Sequence, residues 1–521
     1  MDANAQYAGG KGWNREHVWA KSRGDFGTKI GAGTDLHHLR AEDVSTNSAR
    51  NNRSFDDNKD FSDIEVQING ISGLGYQISN LSTAHTYFWR VKAVNSSGSS
   101  NWTIPRVFST PGQIPSFSNT CPDGYFWDPI SESCVQLDKS FGFSQSTFNQ
   151  NVGDFIYFLD QSNCNEISFR NALETLGSPD IDGGTLVLPE CDISFSNQVY
   201  IPSNTIIQGQ GIGLTNIIVT GWTTTSENFF RIEKDGNISR PEVENVIIRD
   251  LTIQNTVTSK NFSLILISDS QNILLEQIKV LKAHNKNNIH LSHSQFITIR
   301  YCSSSEAQSV DAGHGIGIKD CENPITKANC EDGPNFWSSN IEIYSDSLFF
   351  NEGHGLDSHA SDIEIAGNFI YANTYGTKFP EISKNLWIHH NVIMNNNYWG
   401  VKSMTDFCSY SDENLQSKNH VYYLNKIDMN GDNGTQNGTY GVVVKSTENV
   451  YFINNISYYG NKANNKCKIE DYCNSSMPSS VYYCQEDPIG ESIYDTDSVL
   501  PVLISDDRCN LNNIANIFNT Y

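Results

Sequence analysis

From Gly184 onward, short apolar runs alternate with turns rich in Asn, Gly and Ser. Thr185-Leu186-Val187-Leu188-Pro189, Thr205-Ile206-Ile207-Gln208-Gly209 and Asn245-Val246-Ile247-Ile248-Arg249 are early examples. Apolar runs of this length, bounded by turn residues, predict β-strands rather than helices. The stretch Ile167 to Leu176 differs, and its apolar spacing suits a short amphipathic cap.

The later runs superimpose on one another. Ile341-Glu342-Ile343 is followed by Asp346, Ile363-Glu364-Ile365 by Asn368, Leu386-Trp387-Ile388 by Asn391, and Val450-Tyr451-Phe452 by Asn455. The Asp or Asn always lies five positions after the first strand residue. Glycines that open a further strand recur at Gly315, Gly355, Gly376, Gly400 and Gly441. Their spacings are 40, 21, 24 and 41, so some coils throw out long loops. Stacked repeats of this length predict a β-solenoid, with the Asn residues forming a ladder that closes backbone groups at the turn. A left-handed hexapeptide solenoid would need a six-residue apolar period, which is not present. The pattern resembles the right-handed parallel β-helix of the pectate-lyase superfamily over about 300 residues.

Alternation locates the chemistry. In Gly355-Leu356-Asp357-Ser358-His359, Leu356 and Ser358 point in, while Asp357 and His359 point out. Lys319 falls one coil before His359, Lys378 beside Asp357, and Lys402 one coil further. At about 4.8 Å per coil, these residues share an outer patch roughly 15 Å long. His314, His354 and Glu381 lie near its edges. A basic strip on an acidic chain suits an anionic sugar polymer. In a uronate, removing the C5 proton needs a cation to neutralise the adjacent carboxylate and a base to take the proton. Lys or a protonated Asp meets the first need and His359, as base or acid, the second. Hydrolysis would need two apposed carboxylates, and the patch holds one.

The run His354-Gly355-Leu356-Asp357-Ser358-His359 resembles the Tyr-Gly-Phe/Leu-Asp-Pro-His motif of mannuronan C5-epimerases. That resemblance implies catalytic roles for Asp357 and His359, with Lys319 matching the family's lysine. His354 replaces the motif tyrosine, and Ser358 replaces its proline. With His354 counted among the catalytic residues, Lys378, Lys402, His314 and Glu381 are expected to bind substrate.

Two unlike segments precede the solenoid. Residues 1–57 hold Trp13-Asn14-Arg15-Glu16-His17, Asp35-Leu36-His37-His38-Leu39-Arg40 and Asn47-Ser48-Ala49-Arg50. Glu16 and Asn47 offer oxygen ligands for a hard cation, His17 could activate a water, and Arg15, Arg40 or Arg50 could hold a phosphate. These residues resemble the bacterial extracellular endonuclease I family of ββα-metal (His-Me finger) nucleases. The resemblance implies His17 as general base, and Mg²⁺ on Glu16 and Asn47. Residues 58–112 place Tyr87, Trp89, Val91 and Ala93 on one strand face and resemble the C-terminal half of a fibronectin type III domain.

Composition narrows the compartment and the partner. With 35 Lys+Arg against 59 Asp+Glu, the net charge of −24 disfavours a broad polyanion-binding surface. Twelve cysteines without a CxxC pair favour disulfides and an oxidising compartment, and Cys121 and Cys134 bracket a short aromatic turn. The first residues lack the basic and apolar regions of a signal peptide, so the expectation is a chain that begins downstream of its secretory address.

The sequence thus predicts an all-β chain with a right-handed parallel β-helix at 151–466. Before it come a ββα-metal-like fragment at 1–57, a partial fibronectin-III-like segment at 58–112 and a linker at 113–150. A Cys-containing extension at 467–521 follows. The expected function is a secreted, monomeric enzyme acting on an acidic polysaccharide, as C5-epimerase or lyase, with no membrane partner. The alternatives are a Mg²⁺-dependent nuclease acting on nucleic acid through His17, and a non-catalytic glycan-binding solenoid. Ca²⁺ is the ion expected for the β-helix, if any.

Overall fold

The computed structural model describes residues 121–122, 125–137, 152–222, 228–233, 243–309, 312–319, 338–380, 382–405, 416–430 except 429, and 440–458 except 454; beyond these it describes only strand segments. Contacts divide the chain into Met1–Pro111 and Gly112–Tyr521. In the first unit, Trp13–His17 pairs antiparallel with Leu39–Asp43, setting Glu16 opposite Arg40. Thr86–Trp89 pairs antiparallel with Arg106–Ser109. Asn47 and Arg50 lie outside the described residues.

The second unit is the right-handed parallel β-helix. Each coil contributes strands to three stacked parallel sheets. One runs through Ser339–Tyr344, Ser361–Ala366, Lys384–His389, Lys418–Tyr423 and Glu448–Ile453. A second runs through Ser347–Phe349, Phe369–Tyr371, Val392–Met394 and Lys426–Asp428. The third carries the patch and stacks Ile289–Ser292, Ile316–Lys319, His354–His359, Tyr375–Phe379, Trp399–Met404 and Tyr440–Lys445. Stacking continues past residue 466, through Lys466–Glu470 and Val481–Tyr483.

Inward residues form one continuous core of Ile, Leu, Val and Phe. Its first coils are capped by the helix Glu166–Leu176. Asn165 accepts the Ser168 N–H as N-cap, and Phe169, Ala172, Leu173 and Leu176 bury one face at helical spacing. The opposite face leaves Ile167 in solvent.

The turns are closed by asparagine ladders. Asn368 N–H and Nδ2 both donate to Asn391 Oδ1 at 2.9 Å, and Nδ2 also reaches Ile343 O. The same geometry repeats from Asn391 to Asn425 and from Asn425 to Asn455. The residue before each rung often sits in the left-handed region, as at Ser345, Gly367, His390 and Leu424. A second ladder, Asn351–Asn373–Asn396–Asn430, closes the next corner. It explains the recurring glycines: a Cβ on Gly355 would meet Ile370 Cγ2 at 2.6 Å and Asn373 Nδ2 at 2.9 Å.

The cysteines divide. Cys121–Cys134 closes a hairpin of Tyr125–Asp128 and Ser133–Gln136, and Cys164–Cys191 ties the helix to the first coils. Phe126 of the hairpin is buried against His389, His390, Tyr344 and Ala366. Cys302 is a buried free thiol just above Asp346, which accepts its N–H. Among the described residues, no helix is long and apolar enough to cross a membrane.

Replacing Asn391 with Ala strands the Asn368 amide donors and the Ile365 carbonyl. Each buried orphan costs about 1–3 kcal/mol, so the loss should reach at least about 3 kcal/mol. A thermal midpoint unchanged within error would show that the ladder does not hold the stack.

Candidate active site

The register sets Asp357 beside Lys378, Lys378 beside Lys402, and Lys319 beside His359, as the alternation predicts. Gly317 lies beside Asp357 on the preceding coil, and His290 beside Gly317. Glu381 falls outside the described residues. The difference from expectation is solvent. Asp357, His359, His354 and His314 point outward from the core, yet they are only 3%, 7%, 7% and 1% exposed.

Asp357 is the centre. Its Oδ2 lies 3.3 Å from His314 Nε2 and 3.8 Å from Lys319 Nζ, and its Oδ1 lies 3.7 Å from His359 Nε2. His314 was expected at the edge of the patch, and it packs directly on Asp357. On the other side, His354 stacks on Tyr375 at 4.7 Å between ring centres, and Tyr375 stacks on Trp399 at 4.2 Å. Lys402 Nζ sits 4.5 Å over the Trp399 ring, a cation–π contact. Tyr375 and Trp399 were not among the expected site residues. Their signal was available, because each stands one residue before a coil glycine.

Burial and charge set the protonation states. Burial alone would raise the Asp357 carboxyl, but the contact with His314, and the charge that His354, His359 and His314 carry whenever they are protonated, pull it well below the usual range. That direction favours the ionised form of Asp357 over the protonated acid that was one option for neutralising a substrate carboxylate. Burial pushes His359 down to about 3, against the pull of Asp357 and with help from Lys378, Lys319 and His314. His354 is lowered well below its ordinary value and His314 is lowered too, burial being the main cause in both. At neutral pH these three rings are uncharged and have lone pairs to offer.

His314, His354 and Asp357 bring one donor atom each within 4.8 Å of one another. Two imidazoles and one carboxylate do not suit Ca²⁺, which takes six to eight oxygens. A metal-bound imidazole donates its other N–H to an acceptor. His314 Nδ1 instead faces a donor, the His354 backbone N–H at 3.0 Å. That contact leaves His314 Nδ1 as an acceptor and not the N–H donor that a metal-bound ring presents.

No family model matches the chain. Over 44 residues of its N-terminal part it is 73% identical to an extracellular ribonuclease of Bacillus subtilis and 70% identical to one of Bacillus amyloliquefaciens. The match covers 8% of this chain and spans only 15% of the length of either relative. Among solved structures, the mannuronan C-5 epimerase AlgE4 A-module of Azotobacter vinelandii is similar, with TM-score 0.42 and 13% identity over 68% of this chain and 95% of that one. The tailspike protein of E. coli bacteriophage HK620 gives 0.46 and 10% over 73% and 68%. The surface protein and adhesin PfbA of Streptococcus pneumoniae gives 0.38 and 14% over 70% and 99%. Likeness this distant says nothing about the chemistry of this chain.

Stability should fall in acid because of the buried rings. Folded His359 titrates near 3 and an unfolded histidine near about 6.5. Between those values the unfolded chain binds the extra proton, so the contribution is present above about 6.5 and lost as pH drops toward 3. Glu342, pushed up to about 7 mainly by burial, acts in the opposite sense, being lost as pH rises through 7. The thermal midpoint of the wild type should fall more steeply between pH 6.5 and 4 than that of His359→Gln. Identical slopes would mean that His359 is not buried as a neutral ring.

Proposed function

We propose that the solenoid is a carbohydrate-active enzyme that abstracts the C5 proton of a uronate unit in an acidic polysaccharide such as alginate or pectin. The observation that carries this reading is Asp357 buried among Lys319, His314 and His359, with Lys378 and Lys402 in line on the adjacent coils.

In this mechanism the ammonium groups of Lys319 and Lys378 receive the substrate carboxylate. Asp357 stays ionised and holds His314 and Lys319 in place. A neutral imidazole beside it, His359 or His354, takes the C5 proton. The electron pair from the C5–H bond moves toward the carboxylate, whose growing charge the lysines offset. Return of a proton to the opposite face of C5 gives the epimer. Loss of the C4 oxygen with that electron pair gives chain cleavage and a 4,5-unsaturated end. Lys402 and the Tyr375–Trp399 stack extend the binding surface along the coils. We place the enzyme outside the cytoplasm, acting as a monomer; the two disulfides among the described residues support that compartment.

The ribonuclease likeness favours a second reading, confined to the first unit, in which His17 is the base of a Mg²⁺-dependent nuclease holding its ion on Glu16 and Asn47. Mg²⁺-dependent cleavage of RNA or plasmid DNA, lost in His17→Ala, would support it. Cleavage that survives the substitution would remove His17 from that role.

Polymannuronate and polygalacturonate should be offered to the full chain. The proposal expects either the ultraviolet absorbance of an unsaturated uronide or inverted C5 stereochemistry seen by proton NMR. His359→Ala and Lys319→Ala should each lower the rate about 10²-fold or more. Absence of both products on all uronans, with polymer binding retained, would make the solenoid a binding module.

A further inference from the structure

Hydrogen bonds among the histidines fix where their protons sit. The backbone N–H of His354 donates to His314 Nδ1 at 3.0 Å. That nitrogen must carry a lone pair, so a neutral His314 has its proton on Nε2, which lies 3.3 Å from Asp357 Oδ2 without the alignment of a formed hydrogen bond. His354 Nδ1 approaches the same His314 Nδ1 at 3.3 Å. Because His314 Nδ1 is bare, the proton in that contact belongs to His354 Nδ1. A neutral His354 then has no proton on Nε2. That atom is buried and has no hydrogen-bond partner among the described residues.

We infer that His314 is a positioning residue that locks His354 in its Nδ1–H tautomer and so presents His354 Nε2 as the proton acceptor of the site. The inference rests on the uronate reading above and assigns one atom within it. The groups acting on His354 agree with a neutral ring: burial lowers its pKa, Asp357 raises it, and Lys378 and Lys319 lower it further. Stacking on Tyr375, with Trp399 beyond, holds the ring plane. In the reaction the C5–H bond breaks, an N–H bond forms at Nε2, and the electron pair stays on the sugar. In elimination the same proton passes to the C4 oxygen as the C4–O bond breaks. In epimerisation a proton from water reaches the opposite face of C5, and His354 later returns its own to solvent.

The test is a tautomer measurement on the full chain labelled with ring-¹⁵N histidine, assigned with His314→Gln and His354→Gln. Two-bond nitrogen–proton correlations at pH 7 should show His354 protonated on Nδ1 and His314 on Nε2. A proton on His354 Nε2 would overturn the inference, and this readout needs neither substrate nor a further variant. In His314→Phe the His354 proton should spread over both nitrogens. With the active uronan, kcat should fall on the order of 10²-fold while KM changes little. His314→Asn, which restores an acceptor near Nδ1, should recover part of the loss. An unmoved kcat in a folded His314→Phe would also overturn the inference. If the tautomers are as stated and no uronan is turned over, the lock stands and the proposed function falls.

Discussion

Each coil turns its corners out of reach of water, and the backbone amides left there must be closed by something inside the stack. Asparagine does this, because one short side chain both accepts from and donates to the neighbouring coil. Asn391 takes two donors from Asn368 and returns one hydrogen bond to Ile365 O and one to Asn425. The left-handed residues before the rungs, such as His390 and Leu424, are conformations that these bonds must hold. With the corners pinned, neighbouring strands cannot slip, and the alternation places Asp357, Lys378 and Lys402 in one line.

Much of this was legible in the sequence because it depends on local repetition. The first ladder and the outward columns follow from apolar alternation and from an Asn at a fixed offset. The coil Lys418–Tyr423 was not legible, since His420 takes the inward place that Leu386 holds one coil earlier. His420 is tolerated there because Ser403 and Ser383 O satisfy its two nitrogens, and burial pushes it down to about 4. The second ladder was missed although its rungs, Asn351, Asn373, Asn396 and Asn430, each follow a buried aliphatic residue (Leu348, Ile370, Ile393, Ile427) by three positions, because strands of three residues carry too little alternation to stand out.

The candidate site was half legible. Which residues share a column is a matter of register, and register is one-dimensional. How deeply they are covered depends on neighbours that the pattern does not rank, such as His314 folding over Asp357 and the Tyr375–Trp399 stack beside His354. That cover turns a line of ordinary surface charges into an anion flanked by neutral imidazoles. Likewise the short turn between Cys121 and Cys134 was legible, but the burial of its Phe126 against His389 and His390 depends on contacts distant in sequence.

The ladders also have a direction. In both interior ladders the rung-to-rung bond runs from a side-chain N–H to the Oδ1 of the next rung toward the C-terminus, from Asn368 to Asn425 and from Asn351 to Asn396, while rungs such as Asn368, Asn373, Asn391 and Asn396 also donate to a carbonyl of the coil before. Backbone donors fix the carbonyl end of each rung, so no amide can be reversed. A third row, Asn385, Asn419 and Asn449, donates the other way, toward the N-terminal coils. Each row is a chain of aligned dipoles whose members polarise one another. Each row thus has a fixed donor-to-acceptor sense, and a coil inserted backwards would set donors against donors.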